Sequence, residues 1–189
     1  MKQILAVLVL AAAMTTVPGA DAQAATVTFD SIGGANGDPF VTVTEHGITV
    51  TSDSGAWQKG HFVGNPVPSL FSFDETASLE ILTGGLFFFG GFDIGTGGSS
   101  NPRYMFEGFL GGLSQYSRSG GGVGDAFETV VNPDDDAPVD RVRITTYLTG
   151  SSANVDNVVV DFEATVPEPA TVTLLALAGL AVTRARRRR

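Results

Sequence analysis

Leu86-Phe-Phe-Phe-Gly-Gly-Phe-Asp-Ile94 carries four phenylalanines in nine residues. A run this apolar needs cover on both faces, so it reads as the central strand of a sheet. The runs around it alternate instead. Phe40–Glu45 and Ile48–Ser52 flank His46-Gly47 as a hairpin. Ala77–Leu82 sets Ala77, Leu79 and Ile81 against Ser78 and Glu80, and Thr83-Gly-Gly85 turns the chain. Arg103–Leu110 alternates again. Asp140–Leu148 points Val142, Ile144 and Leu148 inward and Arg141 and Arg143 outward. Thr26–Asp30, Ser69–Phe73 and Asp125–Val131 are shorter strands. Asn154–Phe162 closes the series, with Val155 or Val158, Val160 and Phe162 in the core. The glycine-rich stretch Leu110–Gly124 reads as a flexible loop. No run between the chain ends has a convincing helical period, and no repeat appears. About ten short strands without helices predict an all-β fold, a single β-sandwich of the jelly-roll type.

The two ends have a different character. Lys2, the apolar run Ile4–Met14, the break Val17-Pro-Gly19 and the small residues of Ala20-Asp-Ala22 form a secretory signal peptide helix with its cleavage site. Ala22-Gln-Ala24 is a second cleavage site. At the other end Pro167-Glu168-Pro169 holds the backbone extended, because each proline disfavours α-helix in the residue before it. Thr171–Thr183 is uncharged and apolar. Arg184, Arg186, Arg187, Arg188 and Arg189 then form a basic stop. The apolar run makes a short hydrophobic helix, under the roughly 20 residues of a full span. Its arginines belong on the cytoplasmic side. The division expected is a signal peptide at 1–22, a sandwich domain at 23–166 and a tail at 167–189.

The ordered tail of prolines, apolar run and arginines resembles the PEP-CTERM sorting signal of Gram-negative, exopolysaccharide-producing bacteria. The resemblance implies recognition by exosortase after signal peptidase has acted. It also implies transient inner-membrane anchoring, removal of the arginines, and a final place at the cell surface or in the extracellular matrix. An ordinary tail anchor is the alternative.

The body 23–166 has five basic and eighteen acidic residues, a formal net charge of about −13. Such a surface is a poor partner for nucleic acid phosphates, which need clustered Lys and Arg. The chain has no cysteine, so disulfides, thiol catalysis and Cys-ligated zinc are excluded. His46 and His61 sit in no ligand or nucleophile motif, and the body reads as non-enzymatic. A carboxylate pair of the glycosidase kind is the remaining catalytic alternative.

Phe29-Asp30-Ser31, the hairpin, the Trp-containing loop, the Phe-rich strand and the closing Val155-Asp-Asn-Val-Val-Val160 together resemble the jelly-roll, galactose-binding-like modules of carbohydrate-binding proteins. That resemblance implies a structural calcium held by Asp30 and Asp156, since acidic oxygens suit this cation. The alternative has Asp30 capping a turn and Asp156 satisfying a buried backbone group. It also implies a sugar platform. The single tryptophan, Trp57, lies in the polar loop Ser54–Gly60, and Tyr104, with Tyr116 and Tyr147, is placed to add to such a site. Buried, Trp57 would instead close one end of the core. Asp134-Asp-Asp136, between Pro133 and Pro138, reads as a solvated loop. Two functions therefore compete: a module binding exopolysaccharide or another glycan, and a structural matrix sandwich without a specific ligand.

Overall fold

The computed structural model describes residues 23–53, 55–62, 64–97, 102–121, 126–148, 150 and 152–162. The expected signal helix and the sorting tail, from Pro167 to Arg189, lie outside the described residues. Among the described residues no helix is long and apolar enough to cross a membrane.

The described chain is all strand and turn. Its strands are β1 (Gln23–Val27), β2 (Thr42–Glu45), β3 (Ile48–Ser52), β4 (Gln58–Gly60), β5 (Ser69–Ser72) and β6 (Thr76–Leu82). Next come β7 (Phe87–Thr96), β8 (Arg103–Leu110), β9 (Leu113–Gly121), β10 (Glu128–Val131), β11 (Arg141–Tyr147) and β12 (Ala153–Phe162). One antiparallel sheet runs β10-β7-β12-β5-β4, with β1 also on β12. The other runs β2-β3-β6-β11-β8-β9. From β5 onward successive strands pass between the two sheets, except for the β8–β9 hairpin, and β5-β12-β7-β10 faces β6-β11-β8-β9 in the jelly-roll manner.

The Phe-rich run is the hub of this core. Phe87, Phe89, Phe92 and Ile94 of β7 are fully buried. Phe89 and Phe92 meet Phe106 of the facing sheet at centroid distances of 5.5 and 6.0 Å. Each such ring stabilises the fold by about 1.5–3 kcal/mol through burial. On β12 the register against β7 shifts between Asp156 and Val159, and Asn157 takes φ 46°. This bulge resets the alternation, so Val155 and Val158 both turn inward.

Three expectations change. Leu113–Gly121, read as loop, is the edge strand β9 paired to β8. Gln58–Gly60, read as part of the Trp loop, pairs with β5. The first strand lies earlier, at Gln23–Val27, so Asp30 falls in the turn beyond it.

Candidate functional site

Trp57 does not offer a sugar platform. Its ring is 0% exposed, and its Nε1 donates to the Ser78 carbonyl at 3.0 Å. The cause is backbone pairing. Phe40 N donates to Trp57 O at 2.8 Å and Lys59 N to Asp38 O at 2.9 Å, which turns the ring under the loop and into the core. Of the polar neighbours that suggest exposure, Gln58 and Lys59 are themselves half-buried. Tyr104 is half-buried and meets Phe92 edge-on at 5.6 Å. Burial, and then the charge of Glu128, push its hydroxyl pKa above the usual value. Tyr116 is buried against Phe106.

Asp30 and Asp156 come near enough for the charge of Asp30 to be felt at Asp156, but they do not present a calcium cage. Asp156 is fully buried on the outer side of β12. Its Oδ2 accepts the Asn65 N–H at 2.6 Å and its Oδ1 the Asn157 N–H at 2.8 Å. Asp93, its cross-strand partner, accepts Asn65 Nδ2 at 3.2 Å, Asn157 Nδ2 at 2.8 Å and Thr129 Oγ1 at 2.7 Å. Asn157 Nδ2 also donates to the Asn65 carbonyl. Asp30 is exposed, and its Oδ2 accepts the Thr28 hydroxyl at 3.0 Å. Each oxygen of Asp156 thus already accepts one N–H, and calcium takes six to eight oxygen ligands. No group of three or more His, Asp or Glu among the described residues could hold a metal ion. Burial raises the Asp156 pKa most. The two backbone donors lower it, the charges of Asp93 and Asp30 raise it, and the result is about 6.

The open polar surface is the outer face of the β11 sheet. A row of side chains crosses all six strands: Thr42, Thr51, Glu80, Arg143, Glu107 and Ser117 stand opposite one another in register. Hydroxyls pair along the face, Thr42 to Thr51 at 3.1 Å, Thr44 to Thr49 at 2.9 Å and Ser78 to Thr145 at 3.0 Å. Glu80 takes Arg143 at 2.7 Å and Arg141 at 3.4 Å, and the Arg141 guanidinium lies 4.5 Å over the Phe109 ring. Toward one end Tyr147, 38% exposed, stands opposite Arg103 on one side and Thr76 on the other. Arg103 is exposed and makes no hydrogen bond or ion pair among the described residues. Of the tyrosines named from sequence, Tyr147 alone has an outward ring. No sequence signal marks Arg103, because only the strand register brings it beside Tyr147.

Several solved structures are distantly similar to the chain. The carbohydrate-binding module TmCBM61, in complex with β-1,4-galactotriose, is 16% identical at a TM-score of 0.39, covering 61% of this chain and 88% of that one. A mutant of the family 29 carbohydrate-binding module CBM29-2 is 10% identical at 0.42, covering 75% and 93%. The CBM36-1 domain of a multidomain xylanase from the hindgut metagenome of Trinervitermes trinervoides is 14% identical at 0.29, covering 75% and 98%. No curated protein matches the chain. The tail is placed more sharply: residues 165–189 match the PEP-CTERM protein-sorting motif, which marks exported proteins.

Proposed function

We propose that this exported protein is a non-catalytic glycan-binding module whose ligand lies on the outer face of the β11 sheet. The observation that carries the reading is Tyr147, an outward aromatic ring at the register position opposite Arg103, an exposed arginine with no hydrogen bond or ion pair among the described residues, on a face of paired hydroxyls. A pyranose presents apolar C–H groups to a ring face and hydroxyls to polar neighbours. The carboxylates on that face near its centre, Glu80 and Asp53, are both drawn to Arg143, and the cross-strand pair Asp93 and Asp156 is buried under N–H donors, which supports a binding role over hydrolysis. Exosortase handling, transient anchoring in the inner membrane and a final surface or matrix location complete the proposal, with 167–189 as the removable tail. Burial of Trp57 favours a second reading, a structural matrix sandwich. A glycan array probed with the full chain and with Tyr147→Ala decides between them. Binding lost in the variant supports the module; no glycan bound by the wild type leaves the structural reading.

A further inference from the structure

The distribution of charge on this domain is uneven. Lys59, Arg103, Arg118, Arg141 and Arg143 are the five basic residues of the body. Lys59 is held by the Gly33 carbonyl at 2.6 Å and Arg118 by Asp134 at 2.6 Å, both away from the outer face of the β11 sheet. The other three lie on that face, Arg141 and Arg143 around Glu80 and Arg103 at the other end, opposite Tyr147. They are balanced there by Glu80, Glu107 and, at its rim, Asp53, which lies 3.8 Å from Arg143. The face is therefore close to neutral, while the body carries about −13. Glu80 is shared by Arg141 and Arg143, which leaves Arg103 as the arginine without a carboxylate among the described residues.

We propose that the face selects a carboxylated glycan, with a uronate carboxylate on the Arg103 guanidinium and its sugar ring on Tyr147. This rests on the glycan-binding reading and narrows it. Arginine presents a planar fork of donors that matches a carboxylate with two parallel hydrogen bonds. A neutral sugar offers that fork only single, uncharged hydroxyl acceptors, which bind it more weakly than a carboxylate does. The acidic remainder of the body repels a polyanion, so this one face is where such a polymer can land. Salt weakens the contact, because an exposed ion pair is screened.

The test is affinity electrophoresis of the full chain in gels containing polygalacturonate or the same polymer with its carboxyl groups reduced to the neutral galactan. Retardation by polygalacturonate at least tenfold stronger than by the neutral polymer is expected. Arg103→Gln should lose that tenfold preference, and Tyr147→Ala should weaken binding to both polymers. Arg118→Gln, which removes a charge elsewhere, should bind as the wild type does. Unchanged melting temperatures confirm that these exposed substitutions leave the fold intact. Equal retardation by both polymers overturns the carboxylate inference and leaves glycan binding standing. Failure to bind either polymer or any arrayed glycan overturns both. Loss of preference in Arg118→Gln as large as in Arg103→Gln also overturns it, since net charge alone would then account for the effect.

Discussion

Replacing Asp156 by Asn should change how stability depends on pH. In the folded chain the carboxyl has a pKa of about 6, against 3.8 for an unperturbed Asp. Burial is the main cause, with the charges of Asp93 and Asp30 added and the N–H donors of Asn65 and Asn157 opposing. A raised pKa means that the native state binds this proton more tightly than the unfolded chain does. The contribution of Asp156 is therefore fully present below pH 3.8 and is lost as pH rises through about 6. At roughly 1.4 kcal/mol per tenfold difference in proton affinity, the loss is about 3 kcal/mol. Asn cannot titrate, and it keeps one acceptor oxygen where two N–H groups need one each. Urea unfolding of both proteins between about pH 3.5 and 7.5 isolates the residue, because the other carboxylates largely cancel in the difference. The stability of the wild type minus that of Asp156→Asn should fall by about 3 kcal/mol across this range. A flat difference, or one that grows with pH, would refute the buried-carboxylate account.

Trp57→Ala should cost about 3–5 kcal/mol in unfolding experiments, from the cavity and the orphaned Ser78 carbonyl. A loss under about 1 kcal/mol would show an exposed ring. Chelation with EDTA should leave the melting temperature unchanged, since both Asp156 oxygens are already bonded to N–H groups and no group of three metal-ligating side chains forms among the described residues; a drop of several degrees would mean that a cation is held there after all. Intact-mass analysis of the exported protein from a host with exosortase should show Arg184–Arg189 removed, and the arginine cluster still present would argue for a permanent anchor.

The parts of this fold that sequence reveals are those set by local pattern. The turn between β2 and β3 is legible because His46 and Gly47 both take positive φ, 52° and 81°, as a two-residue hairpin demands. The same turn recurs at Gly111 and Gly112, with φ 58° and 81°. There the strand beyond the turn hides it: in β9 only Tyr116 is buried, so an edge strand reads as polar loop. The inward and outward sets of β11 are legible from Val142 and Ile144 against Arg141 and Arg143. The orientation of Trp57 is not, because pairing with the Phe40 segment fixes it and the adjacent residues do not. Tyr147 and Arg103 are 44 positions apart, and only the antiparallel register of β8 and β11 makes them neighbours.

Amide chemical-shift mapping with a saturating galacturonate oligosaccharide tests the central claim most directly. The account predicts perturbations centred on Arg103, Tyr147 and Thr76, fading across Glu107 and Arg143. Perturbations clustered instead around Trp57 or on the outer side of β12, or none at all, would contradict it.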